Sequence, residues 1–102
     1  MSLKKQYLKT KPVCKVTFTL PRDMTRSASR VSLVGEFNDW NHLSTPMKAQ
    51  KDASFAVTVN LPRDREYQFR YLLDGALWEN DDSADRYVRT EFGDCDNSIV
   101  SV

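Results

Sequence analysis

The chain has 102 residues, of which 40% are hydrophobic and 28% charged, and its formal net charge is +1. These values are typical of a single soluble globular domain that can bury its own core, and they exclude a disordered chain. The near-zero charge argues against nucleic acid as a partner, and the lack of a long apolar run argues against a membrane span.

The first twelve residues contain four lysines and no acid. Charged blocks usually face water, so we expect residues 1–12 to form a basic, solvated N-terminal extension and residues 13–102 to form one domain. Polar residues interrupt any apolar segment that a secretory signal would need here. The expected location is therefore the cytoplasm.

From Val13 onward, apolar and polar residues alternate with period two, as in strands with one buried face. The clearest run is Val13–Leu20, which stops at Pro21. Further strands are predicted at residues 30–37, 47–50, 54–61, 67–72, 76–79, 86–92 and 98–102. Seven to eight short strands separated by turns predict an all-β, immunoglobulin-like antiparallel β-sandwich, with a five-stranded barrel as the alternative.

Neither the spacing of the cysteines nor that of the acidic residues indicates a catalytic site or a metal site. Cys14 lies on the apolar side of its strand and is expected to be a small core residue, and both thiols are expected to be reduced. With one histidine and no paired cysteine spacing, we predict no metal and no cofactor. Asp81 and Asp82 lie in a polar loop, where carboxylates keep ordinary pKa values, so we predict no catalytic residues and no enzyme activity.

Two stretches carry the most unusual pattern. VSLVGEFNDW, from 31 to 40, and YQFRYLLDGALW, from 67 to 78, each run from a strand into a polar segment that holds a tryptophan. Loops prefer small polar residues, so a large ring there needs a pocket or a ligand. Gly35 is expected to permit a bulge or a close backbone approach, and Asp74-Gly75 predicts a hairpin turn.

In combination, LVGEFNDW, LPRDREYQFRYLLDG, a following tryptophan and DNSIVSV resemble the isoamylase N-terminal, or early-set, domain. That group overlaps the family-48 carbohydrate-binding modules and the glycogen-binding domain of the AMP-activated kinase β subunit. The resemblance covers about residues 13–102. It implies a non-catalytic module for α-1,4-linked glucan oligosaccharides or glycogen, with a glycogen-metabolising enzyme or regulatory protein as a partner.

The resemblance also implies five carbohydrate-binding residues. Trp40 and Trp78 stand where the family has sugar-stacking tryptophans, and Arg70 stands where glycogen-binding domains have a hydroxyl-bonding lysine. Phe92 matches a leucine that packs against the sugar chain, and Asn97 matches an asparagine that bonds to hydroxyls. The chain departs from the family by one extra residue before Trp78, and by one extra residue and an acid before Asn97.

The chemistry of these side chains suits a sugar. An indole face covers the C–H face of a glucose ring, and a good ring contact is worth ~0.5–1.5 kcal/mol. Arginine and asparagine supply planar donors and acceptors for the hydroxyls. An open platform of this kind predicts a Kd of ~10 μM to 1 mM.

Each residue also has a structural interpretation. Either tryptophan could belong to the core, as could Phe92, while Asn97 could serve only a turn. Arg70 could pair with Glu66 or Asp74 on the surface. The alternative function is a protein-interaction or regulatory sandwich without sugar binding, and the two hypotheses differ in whether both indole rings lie open.

Overall fold

The chain folds into two antiparallel sheets in the computed structural model, which describes residues 3–25, 27–90 and 96–102. The strands are β1 Leu3–Tyr7, β2 Val13–Leu20, β3 Val31–Gly35, β4 Lys48–Ala49, β5 Phe55–Pro62, β6 Glu66–Leu73, β7 Leu77–Glu79, β8 Arg86–Arg89 and β9 Asp96–Ser101. One sheet has the order β1-β2-β5-β4, and the other has the order β3-β6-β9-β8 with β7 also paired to β6. The predicted all-β antiparallel sandwich is confirmed.

Alternation along the strands decides which side chains meet between the sheets. On β2, Val16, Phe18 and Leu20 have no exposed surface, and on β6 the same is true of Phe69 and Tyr71. The rings of Phe18 and Phe69 meet edge to face with centroids 5.0 Å apart. The core therefore consists of the inward residues of both sheets, as period two requires.

Cys14 also faces this core. It is fully buried and carries a free thiol, which confirms the prediction of a small core residue. Cys95, by contrast, lies outside the described residues.

Residues Leu3–Tyr7, expected to belong to a solvated extension, instead form β1 at the edge of the first sheet. Leu3 is buried opposite Phe18, and the Lys5 amine lies 2.7 Å from a carboxylate oxygen of Asp85. The strand is held by backbone pairing with β2 while most of its side chains stay in water. Its sequence therefore shows too little apolar alternation to identify it.

The polar loop after β7 also differs from expectation, because Asp81 is buried with only 2% of its surface exposed. One carboxylate oxygen accepts a hydrogen bond from the Tyr71 hydroxyl at 2.6 Å, and the other accepts one from the Ser83 amide at 2.7 Å. The interpretation of Asp81 as a solvated loop acid is therefore wrong. This carboxylate connects the loop to β6 inside the sandwich.

Tyr71 is predicted to resist ionisation at alkaline pH. Burial raises the pKa of its hydroxyl well above the usual value of 10, and the charge of Asp81 raises that pKa further. The unfolded chain loses this proton near pH 10 while the folded chain keeps it. The stability that Tyr71 contributes is thus complete below about pH 10 and declines as the pH rises above that value.

This expectation is measurable by absorbance at 295 nm and by urea unfolding across pH 8–12. The tyrosinate absorbance of Tyr71, read as the difference between the wild type and Tyr71→Phe, should appear only as the protein unfolds. In Tyr71→Phe, stability should fall less steeply above pH 10. Ionisation of Tyr71 near pH 10 in protein that is still folded would contradict the prediction.

Candidate functional site

The turn after β3 depends on Gly35, which lies against β6. A Cβ built on this residue would come within 2.6 Å of the Gln68 carbonyl oxygen and 2.8 Å of the Phe69 Cβ. Its φ is −170°, an extended value open to any residue, so the requirement for glycine is steric. This confirms the expected close backbone approach and explains why glycine ends the strand.

Gly35→Ala is predicted to destabilise the fold by about 1–3 kcal/mol, because β3 or β6 must shift to admit the methyl group. Urea unfolding of the variant would measure this loss. Gly75→Ala is a useful comparison, since its Cβ would meet only an Arg30 nitrogen at 3.8 Å, although its φ of +70° adds backbone strain there. Unchanged stability of Gly35→Ala would contradict the steric argument.

The residues after Gly35 form one turn of 3-10 helix, Glu36–Asn38. One of its side chains enters the core, and another bonds to the backbone of β3. Phe37 packs into the core, with its ring centroid 5.7 Å from that of Phe18. Asn38 holds the turn in place: its side chain accepts a hydrogen bond from the Gly35 amide and donates to the Leu33 carbonyl. This short segment is therefore fixed before it reaches Trp40.

Trp40 has a φ of 56° and directly follows Asp39, which also has a φ of 56°. Bulky side chains rarely adopt a positive φ, which costs of order 1–3 kcal/mol. A hydrogen bond from the Trp40 amide to the Gly35 carbonyl, 2.9 Å long, supports this conformation. The side chain stays 36% exposed, so the chain accepts backbone strain without enclosing the ring in the core.

Trp78 lies on β7, directly opposite Leu72 of β6. Since Tyr71 and Leu73 face the core, Leu72 and Trp78 belong to the outer face of the sheet. The residue is 38% exposed. The Arg70 guanidinium carbon lies 5.6 Å from the Trp78 ring centroid, and the His42 ring meets the indole edge to face at 5.3 Å.

Arg70 is held by its neighbours on this outer face. Its Nε donates to the Asn97 side-chain oxygen at 2.6 Å, and the Asn97 amide donates to the Gln68 side-chain oxygen at 2.9 Å. The chain of contacts Gln68–Asn97–Arg70–Trp78 spans β9, β6 and β7. Three predicted site residues are thus brought together here.

Glu66 and Asp74, the two acids that were considered as surface partners of Arg70, bond to other groups. Glu66 accepts from Arg86 at 3.1 Å, and this hydrogen bond holds the pKa of Glu66 below its usual range. Asp74 accepts from the backbone amides of Ser29 and Arg30 at 2.8 and 2.9 Å. Asp74 therefore joins the β6–β7 turn to the start of β3.

An apolar layer lies beneath these polar groups. Val34, Leu72 and Ile99 are at most 3% exposed, although they face outward and lie outside the core between the sheets. In the strand register Arg70 lies opposite Val34 and Trp78 lies opposite Leu72, and such long side chains can cover apolar surface while they keep their polar atoms in water. The exposed ring of Trp78 therefore lies on a face whose inner layer is apolar and buried.

Of the remaining predicted residues, Trp40 lies at the start of the loop whose His42 contacts Trp78. Phe92 lies outside the described residues. Asn97 is only 8% exposed, and its side chain is engaged with Arg70 and Gln68. Sugar-binding roles for these residues stay predictions.

Sequence reasoning missed the supporting residues Asn38, His42 and Gln68. The role of Asn38 could have been predicted, since the side chain of an asparagine after a strand often bonds to nearby backbone groups. No signal in the sequence indicated His42, because its contact with Trp78 of β7 depends on the path of the loop after Trp40.

The described residues also bear on metal binding and on membrane crossing. They contain no group of three or more His, Cys, Asp or Glu side chains placed to hold a metal ion. Within the same residues, there is no helix with the length and apolar character that a membrane crossing requires.

Residues 15–101 match the model of a family described as the glycogen recognition site of AMP-activated protein kinase. A search of curated proteins finds no significant match. The matched range includes β3, β6, β7 and β9, which carry the outer-face residues described above.

Proposed function

The chain belongs to the family of glycogen recognition sites of AMP-activated protein kinase, and from this premise we propose that it binds α-1,4-linked glucan, such as glycogen, on the outer face of the β3–β6 sheet. Membership makes it a carbohydrate-binding module. The finer features proposed here are the glucan linkage and the side chains that contact it.

The cluster formed by Trp78, Arg70 and Asn97 carries this proposal. A glucose ring stacked on the exposed indole would place its hydroxyls near the Arg70 guanidinium, which already lies 5.6 Å from the ring centroid. Because Asn97 holds the Arg70 Nε, the arginine loses less side-chain entropy when it binds sugar. Asn97 then acts mainly by positioning Arg70.

Trp40 is proposed as the second stacking ring. Its backbone is held by the Gly35 hydrogen bond, and strained residues of this kind often occur at functional sites. The contact between His42 and Trp78 brings the loop that follows Trp40 onto the same outer face. Phe92 completes the proposed set by its match to a sugar-contacting leucine.

A recognition module of this kind is non-catalytic, and we propose the same for this chain. Its expected role is to hold glucan near a glycogen-metabolising enzyme or a regulatory protein. The partner and the cytoplasmic location stay predictions.

Affinity electrophoresis in gels that contain glycogen tests the function directly. The protein should migrate more slowly as the glycogen concentration rises, and soluble maltoheptaose should reverse the retardation. Tryptophan fluorescence should shift with maltoheptaose at ~10 μM to 1 mM. Unchanged mobility together with an unchanged spectrum at millimolar sugar would reject the proposal and favour a protein-interaction domain.

A further inference from the structure

A groove borders the sugar platform along the β3 edge of this sheet and extends toward β4 and β5 of the other sheet. It has a volume of about 610 Å³, within the ~300–1,000 Å³ usual for ligand sites. Its lining includes Arg30, His42, Leu43, Pro46 and Leu72. Arg30 directly precedes β3, the next three residues lie in the loop before β4, and Leu72 is on β6, while Ala49 of β4 and Phe55 of β5 close the side toward the other sheet.

The groove and the indole of Trp78 have two neighbouring residues in common. Two of its lining residues also contact or pair with Trp78: His42 meets the indole at 5.3 Å, and Leu72 lies opposite it in the strand register. A polymer stacked on Trp78 and continuing past His42 would therefore enter this groove.

The lining combines apolar and hydrogen-bonding surface, as a pyranose requires. Leu72 and Pro46 contribute apolar surface, and Leu43 is 87% exposed at the rim. The Arg30 guanidinium lies beside the Asp74-Gly75 turn, 3.8 Å from the position of a Cβ on Gly75. It adds planar hydrogen-bond donors to the lining.

The charge of the rim favours an uncharged ligand. The Asp74 carboxylate accepts from the Arg30 backbone amide at 2.9 Å, which places a negative charge near the arginine. Asp74 does not line the groove but precedes Gly75, which does, so its charge offsets that of Arg30 and lowers any preference for phosphate, while the Arg30 donors remain available to hydroxyl groups.

Resting on the proposed function, we propose that this groove is an additional subsite that binds the glucosyl units following the one stacked on Trp78. Arg30 donates to their hydroxyls, and Leu43 covers their C–H surface. The groove thereby makes the module prefer longer α-1,4-linked chains over short ones.

Titration calorimetry with maltotriose, maltopentaose and maltoheptaose tests this subsite in the wild type, Arg30→Ala and Leu43→Ala. Affinity should rise with chain length in the wild type. Each variant should bind maltotriose as the wild type does but bind maltoheptaose about 3- to 10-fold more weakly. Both side chains are exposed, so melting temperatures should stay close to that of the wild type.

Arg63→Ala is the matched control. Arg63 is an exposed arginine near the other end of β6, where its guanidinium lies 5.9 Å from the Tyr7 ring centroid. This variant should retain the full length dependence. If Arg30→Ala and Leu43→Ala keep it too, or weaken all sugars equally, the subsite is wrong while the proposed function stands. If the wild type binds none of the three sugars, the proposed function itself fails and the subsite with it.

Discussion

Trp78→Ala is expected to abolish retention on glycogen and to raise the Kd for maltoheptaose at least ~10-fold, which corresponds to ~1.4 kcal/mol. The variant loses the indole face that stacks on glucose. It also removes the ring over which Arg70 lies, so the arginine is less well positioned for the same sugar. Affinity electrophoresis and titration calorimetry would measure both effects.

The control for this variant is Tyr7→Ala, which removes a 50% exposed aromatic ring from β1 in the other sheet. That variant should bind glycogen normally. Because Trp78 is partly exposed, Trp78→Ala should keep most of its stability, and urea unfolding would verify this. A folded Trp78→Ala protein that is retained on glycogen like the wild type would exclude the proposed platform.

Asp81→Ala is expected to lower the free energy of unfolding by about 2–4 kcal/mol. The substitution leaves the buried Tyr71 hydroxyl and the Ser83 amide without the acceptors they now have at 2.6 and 2.7 Å. It also opens space where a fully buried side chain packs. For a domain of this size, the melting temperature should fall by about 10–20 °C.

Asp82→Ala is the matched comparison, since Asp82 is the neighbouring acid and is exposed. Its stability should lie within about 0.5 kcal/mol of the wild type. Tyr71→Phe in the Asp81→Ala background should recover part of the loss, because the orphaned hydroxyl is removed. Equal stability of Asp81→Ala and Asp82→Ala would show that the buried hydrogen bonds contribute little.

Local patterns were sufficient for much of the fold. The strand Val13–Leu20 was predicted with its observed bounds, because period two and a terminating proline are properties of a short segment. Gly35 and Asp74-Gly75 were recognisable for the same reason: steric approach and positive φ restrict which residues fit. β1 was missed because only Leu3 is clearly buried in it.

The candidate site likewise has features that the local sequence predicts and features that it does not. Residue types and their order in the chain singled out Trp40, Arg70, Trp78 and Asn97, since rings on strand ends and planar polar groups are visible in the sequence. Their partners were not visible. Arg70 reaches Asn97, 27 positions away, only because β6 and β9 are brought side by side in the sheet.

The sequence by itself determined the strand pattern, the family resemblance and the chemistry of the exposed rings, all of which depend on neighbouring residues. Only the tertiary structure decided that Asp81 is buried, that His42 touches Trp78 and that His42 also lines a groove along the β3 edge. Burial and side-chain partners depend on sheet register and on the path of loops. These are set by contacts between segments far apart in the chain, which a local pattern does not contain.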